Sequence, residues 1–351
     1  MTVDSGADRT GEHAAELLRS LARLGTARIS DLAAAAGIDE RAAAILLSKL
    51  AVLGLVERDQ ETLVYQRVPS GAAPDRLVHE VAAGVGAEVD VNELVNRIVV
   101  DVWGENVHQG YWHGEDDDAS NQVATEQLTD LVIAQSGLAD GDRVLDIGCG
   151  VGSPAIRLAE TVPVEIVGIS NTRSQIEEAS RRAAAIGLDP RVRFEFADAL
   201  DLPFPEDSFD VVWMIELLAV LDRERALDQA WRVLRPGGRL VLTDQLLIAA
   251  PTGENRRQIE AYFAATPATL LDADGYRALL AAVGFDMADV IDVSDNTRRT
   301  AVRMIEAVDR RHDELIASYG RGITPLLEMF RSPVPLLPEL GYAVLSCRKP
   351  A

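Results

Sequence analysis

Cysteine is nearly absent from this 351-residue chain. Cys149 and Cys347 are the two, too few and too far apart for a disulfide framework or a zinc ribbon, so no metal is expected. Aromatic residues are scarce at 5%. Basic residues are outnumbered, 34 Lys and Arg against 56 Asp and Glu, which gives a formal charge of −22. A chain this negative repels phosphate backbones and anionic headgroups, which argues against general nucleic-acid or membrane-surface binding. No apolar run reaches the ~18 residues of a membrane span. The acidic, polar start MTVDSGADRTGEHAAELL lacks the basic region and apolar stretch of a secretory signal. These absences predict a cytoplasmic protein. What the chain does have is 48% hydrophobic residues and length enough for about two domains with cores of their own.

Residues 12–68 show the order helix, helix, helix, wing. Leu17, Leu18, Leu21 and Leu24 fall at helical spacing before Gly25, Ser30 caps a short helix closed by Gly37, and a third helix runs from Ile38 to Leu53. Leu55–Arg58 and Leu63–Gln66 read as the strands of a wing. This predicts a winged helix-turn-helix over residues 1–72. Ten acids against eight bases in that stretch, and a third helix opening on Asp39-Glu40, favour packing or homodimer formation over DNA reading. Pro69–Pro74 reads as a linker, and residues 73–123 as linker and helical cap. From Gly141 onward strands and helices alternate, which predicts an α/β fold, a Rossmann-like doubly wound sheet over residues 124–351, with a lid at about 245–335. Ligands in such sheets sit at the carboxyl ends of the strands.

Val144-Leu-Asp-Ile-Gly-Cys-Gly-Val-Gly152 sets glycines at 148, 150 and 152 between a strand and a helix, where the backbone turns tightly and a ligand can approach closely. A dinucleotide fingerprint would place its third glycine one residue later and end the next strand on an acid. Here that strand ends Gly168-Ile-Ser-Asn171, so NAD is disfavoured. The motif instead resembles the first motif of class I S-adenosylmethionine-dependent methyltransferases. Phe196-Ala-Asp-Ala199, Leu202–Asp210 and Leu234-Arg-Pro-Gly-Gly238 resemble further pieces of that family, in the same order. Ser170 with Gln175, and His108-Gln-Gly-Tyr-Trp112, resemble its small-molecule branch, which includes the rebeccamycin-type sugar O-methyltransferases and the sterol and cyclopropane-fatty-acid enzymes. The winged helix resembles that of dimeric plant-type and polyketide O-methyltransferases.

The resemblance implies S-adenosylmethionine as cofactor. It implies Asp146, Gly148, Gly150 and Gly152 on the methionine side, Ser170 and Gln175 on the ribose side, Asp198 and Ala199 at adenine, and Tyr111 over the sulfonium. The acceptor it implies is a small, hydrophobic natural product, methylated on oxygen or carbon, with Tyr262 and Phe263 as candidate substrate contacts. One departure matters. Rebeccamycin-type relatives carry a His-His pair after the fourth strand, where this chain has Ala219 and Val220. A positioned base gives about 10²–10⁴-fold, less than the ~7–11 kcal/mol available from alignment, so methyl transfer survives the loss. Asp244, His113 and Glu216 are the candidate catalytic residues that remain. The missing pair also leaves room for a methyltransferase-like pericyclase or cyclase that binds the cofactor without transfer. A winged-helix regulator with a methyltransferase-like sensor is a further alternative.

Overall fold

The computed structural model describes residues 10–38, 40, 43, 46, 47, 50, 56–58, 64–67, 91–263 and 270–351. The expected N-terminal tail before residue 10, the linker at 69–74 and the helix at 77–85 lie outside the described residues, as do Asp39, Arg41 and Lys49 of the third helix. The chain divides into two compact units.

The first unit takes in Met1–Val102 with Glu260–Pro267 and Ile305–Ser332. Helix α1 (Thr10–Leu24) turns Leu17 and Leu21 fully inward, and α2 (Ile29–Ala36) ends on Gly37, whose φ of 69° suits a glycine cap. Strands β1 (Thr26–Arg28), β2 (Val56–Arg58) and β3 (Val64–Arg67) form an antiparallel sheet in the order β1-β3-β2. Leu17, Leu21, Leu32, Leu47, Leu50, Val56 and Tyr65 share one buried cluster. Helix α3 (Val91–Trp103) follows.

The second unit holds a seven-stranded sheet. Its strands are β4 (Arg143–Ile147), β5 (Glu165–Ser170), β6 (Val192–Phe196), β7 (Phe209–Ile215), β8 (Leu234–Leu247), β9 (Asp286–Asp292) and β10 (Leu340–Arg348). They lie in the order β6-β5-β4-β7-β8-β10-β9, with β10 antiparallel to both neighbours and the first five parallel. Val144, Leu145 and Ile147 are fully buried, as expected of a central parallel strand with both faces covered. The chain begins the sheet at β4, builds outward to β6, then crosses back to place β7 on the other side of β4. That reversal opens a crevice at the carboxyl ends of β4 and β7.

Helices α4 (Asn121–Ser136), α5 (Ser153–Thr161), α6 (Arg173–Ala185), α7 (Arg223–Val233), α8 (Gly253–Tyr262) and α9 (Ala273–Val283) connect the strands; α10 (Ser294–Thr297), α11 (Arg299–Tyr319) and α12 (Thr324–Phe330) precede β10. Alternate residues of β8 feed two cores. Leu240, Leu242 and Leu246 join Leu227, Tyr276 and Leu280, while Val241 joins Leu128, Val132, Trp213 and Tyr342. The sequence reading assigns no strand between 248 and 339, yet β9 is the edge of the sheet. Its three aspartates, Asp286, Asp289 and Asp292, mask it as a polar loop; charge on an edge strand also discourages pairing with another chain. No helix among the described residues is long and apolar enough to cross a membrane.

Candidate active site

The glycine loop leaves β4 at the crevice. Gly148, Gly150 and Gly152 all have positive φ, at 81°, 53° and 81°, where a side chain is strained. Two of them are also packed: a Cβ on Gly152 would stand 2.6 Å from Phe194 Cζ, and one on Gly148 would stand 2.9 Å from Leu217 Cδ1. A Cβ on Gly150 would meet no heavy atom within 4 Å, so that residue faces open space. The Gly148 and Cys149 N–H groups both donate to Ile169 O at 2.9 Å, which ties the loop to β5. Cys149 is buried, and burial pushes its thiol well above the ordinary range, so it packs and does not react. Asp146, the next-to-last residue of β4 before the loop, is 1% exposed. Its Oδ2 has no hydrogen-bond partner among the described residues, and burial raises its pKa to about 7.

Beside the loop, Ser170 ends β5 and Gln175 lies in the first turn of α6. The Ser170 hydroxyl donates to Gln175 Oε1 at 2.7 Å and accepts from Thr172 N at 3.1 Å. Its proton is therefore spent on the glutamine, which fixes Gln175 with its amide N–H₂ turned away from the serine. Asp198 is exposed just past β6; its Oδ1 accepts from Leu200 N at 2.9 Å, and Ala199 beside it is half-buried.

A strap, residues 104–112, is tied into the second unit at every step. Trp103 Nε1 donates to His108 O, Gly110 N to Thr300 Oγ1 and Tyr111 N to Ala124 O, at 3.1, 3.0 and 2.8 Å. Trp112 N donates to Asn296 O at 2.9 Å. His108 is buried between Gln109 O and Thr129 Oγ1, and burial lowers its pKa to about 4, so it is neutral. The strap's Gln109 N–H donates to Glu216 Oε1 at 2.5 Å.

Glu216 follows β7 directly and has φ of 51°, a conformation that costs a non-glycine residue about 1–3 kcal/mol and concentrates at functional sites. Its N–H donates to Thr243 O at 3.2 Å, and Tyr342 Oη lies 2.7 Å from its Oε1. Oε2 has no partner among the described residues. Burial raises the carboxyl pKa to about 7, against the hydrogen bonds from Tyr342 and Gln109 that pull it down; the negative charge of Asp244 pushes the same way as burial.

Asp244 projects from β8 on the opposite face of the sheet. It is 2% exposed, its Oδ1 accepts from Gln245 N at 2.8 Å, and its Oδ2 lies 3.5 Å from Arg223 Nη2. Burial raises its pKa, and the Tyr276 hydroxyl, then the Arg223 charge and the Gln245 N–H, pull it back. His113 is exposed, its ring edge-on to Tyr111 with centroids 5.3 Å apart. Tyr262 and Phe263 stack edge-to-face at 5.0 Å. The structure thus gathers Asp146, the three glycines and Glu216 at the carboxyl ends of β4 and β7. Tyr342, Thr243 and Arg223 are partners the sequence reading leaves out; their partners lie on distant segments, and no spacing announces them.

A methyltransferase-domain family pattern matches residues 144–238. Over 279 residues the chain is 39% identical to 27-O-demethylrifamycin SV methyltransferase of Amycolatopsis mediterranei, covering 78% of this chain and 97% of that one. The chain belongs to the S-adenosylmethionine-dependent methyltransferases. It is an enzyme that methylates small molecules with that cofactor. The O-methyltransferase resE of Aspergillus sclerotiorum is 34% identical over 270 residues, 76% of this chain and 97% of that one. Among solved structures, the [4+2]-cyclase SpnF matches with 30% identity and a TM-score of 0.66, over 75% of this chain and 96% of that one. The residues present fit the cofactor of this methyltransferase: Gly150 leaves an open cradle, and Asp146 Oδ2 is a buried acceptor lacking a partner next to it.

Proposed function

We propose that this methyltransferase O-methylates a small, largely apolar natural-product acceptor, with Glu216 as general base. The observation that carries the reading is the Glu216 carboxyl, whose Oε1 is anchored by two donors, whose Oε2 has no partner among the described residues, and whose pKa is about 7. A base works best with its pKa near the operating pH, and this one meets that condition where the family's histidines are missing. When bound, S-adenosylmethionine supplies a methyl group activated on a sulfonium. Glu216 Oε2 would take the proton of the acceptor hydroxyl, leaving its oxygen free to receive the methyl group that the bound cofactor would supply.

In the same reading Asp146 faces the cofactor's ammonium and Gly148, Gly150 and Gly152 its methionine chain. Gln175, oriented by Ser170, holds the ribose; Asp198 and Ala199 hold the adenine; Tyr111 packs over the sulfonium by a cation–π contact. Asp244 is assigned to structure, as the buried partner of Arg223. Two exposed apolar side chains support an apolar acceptor: Val220, in the short helix after β7, and Ile248, one residue past β8, are 45% and 44% exposed. The names of two relatives support oxygen as the atom methylated.

The likeness to a [4+2]-cyclase favours a second reading, cyclisation with the cofactor bound and unspent. Mass spectrometry separates the two. Incubation with S-adenosylmethionine and a panel of hydroxylated polyketide-type acceptors is expected to yield S-adenosylhomocysteine and a product heavier by one methylene, stoichiometrically. An isomerised acceptor with no S-adenosylhomocysteine would replace methylation with cyclisation.

We read the N-terminal unit as a winged helix that pairs two copies of a cytoplasmic enzyme. The support is its apolar core and its three-stranded sheet. Light scattering is expected to give twice the chain mass; a monomer at micromolar concentration would remove the pairing role.

A further inference from the structure

We propose that Tyr342 is a positioning residue for methyl transfer, closing with Thr243 a one-way ring of hydrogen bonds that reserves Glu216 Oε2 for the proton. The inference rests on Glu216 being the base. Donor chemistry fixes the direction of the ring. The Glu216 N–H can only donate, and it is shared between Thr243 O at 3.2 Å and Thr243 Oγ1 at 3.1 Å. Tyr342 Oη stands 2.7 Å from both Thr243 Oγ1 and Glu216 Oε1. A phenol has one proton and a carboxylate can only accept, so the tyrosine donates to Glu216 and receives the threonine hydroxyl's proton. The ring therefore starts and ends on Glu216. The strap's Gln109 N–H, another group that can only donate, takes the second lone pair of Oε1. Both sites on Oε1 are spent, and a proton arriving at the carboxylate goes to Oε2.

Tyr342 is built to hold that place. It is 2% exposed, its N–H donates to Ser294 Oγ at 3.1 Å and its carbonyl accepts from Val293 N at 2.9 Å. The residue before it is Gly341, where a Cβ would run into Ser294 Oγ and stand 2.6 Å from Ile248 Cδ1, so backbone packing sets where the phenol reaches. The ionisable groups around Glu216 are Tyr342 on β10 and Asp244 on β8, with His108 on the strap held neutral. Of these, Tyr342 is the one whose hydrogen bond favours the carboxylate. Removing it raises the pH at which the base becomes available.

Tyr342→Phe keeps the buried ring and deletes the hydroxyl. The pH profile of kcat/KM for the acceptor is expected to shift its acid limb upward by about one unit. kcat at neutral pH should fall about fivefold, recovering toward the wild-type rate above the new midpoint, with cofactor affinity unchanged. Thr243→Val, which removes the donor behind the phenol, is expected to move the limb the same way, and Thr243→Ser to leave it in place. A Tyr342→Phe profile that drops uniformly with its midpoint unmoved overturns the positioning role. Glu216→Gln, assayed alongside, separates the two layers: a wild-type rate there removes the base and this proposal with it, whereas a large loss there with an unmoved Tyr342→Phe midpoint removes the positioning role alone.

Discussion

Glu216→Gln is expected to lower kcat by about 10²–10⁴-fold, the range a positioned general base supplies, while binding S-adenosylmethionine as the parent does. The amide keeps the anchored geometry: its oxygen accepts from Gln109 N–H and the Tyr342 hydroxyl, and its N–H₂ takes the place of Oε2. What it loses is the capacity to receive a proton. The same substitution should stabilise the fold at alkaline pH. Burial raises the Glu216 pKa from 4.5 to about 7, so between those values the folded state holds a proton that the unfolded chain has released. Stability from this group is therefore full below the unfolded value, declines as pH rises through the window, and stays low above it. At pH 8 the parent bears the cost of a half-buried carboxylate, and the neutral variant should be more stable by about 1–3 kcal/mol. Denaturant melts at pH 8 and near pH 4.5 check the sign: the gap should be open at the first and nearly closed at the second. An active variant would remove the role as base, and one less stable at pH 8 would remove the strained ion.

The parts of the site that the sequence reveals are those whose chemistry is local. Gly148, Gly150 and Gly152 announce themselves because a tight turn between strand and helix demands positive φ within five residues, and the strand before them is apolar from Val144 to Ile147 but for Asp146. Ser170 and Gln175 are similarly close, five residues apart across the end of β5 and the start of α6, although the sequence does not say that the serine spends its proton on the glutamine. The ring around Glu216 is invisible at that range. Tyr342 lies 126 residues from Glu216 and 99 from Thr243, and they meet because β10 inserts antiparallel beside β8. The left-handed backbone of Glu216 is hidden too, since nothing in Ile215-Glu216-Leu217 requests it; the turn is imposed by the end of β7 and the strap above it. Asp244 is legible as an acid after a strand, but its burial on the far face is not. Whether a carboxyl acts as base or as a buried counter-ion depends on which face of β8 it takes and on what α7 sends to meet it.

Arg223→Met should cost about 3–5 kcal/mol of stability, because it strands a buried carboxylate without its cation. Asp244 is 2% exposed and the Arg223 side chain 11%, with 3.5 Å between Nη2 and Oδ2, and the guanidinium lies over the Tyr276 ring at 5.7 Å. Methionine keeps most of the packing volume and removes the charge. Without Arg223, burial lifts the Asp244 pKa further above its unfolded value. A raised carboxyl loses stability as pH rises, so the penalty should be large at pH 8 and shrink as pH falls toward about 4. Adding Asp244→Asn should restore most of it, since the amide has no charge to strand. A loss equal at both pH values, with no rescue by the second substitution, would instead assign Arg223 to packing alone. The double variant also bears on the chemistry. Asp244 raises the Glu216 pKa through its charge, so its replacement should move the acid limb of the pH profile slightly downward while methylation continues. If Asp244 were itself the base, the stable double variant would be inactive. The proton-accepting role thus falls to Glu216 and the ion pair with Arg223 to Asp244, each carboxyl held on its own face of the sheet.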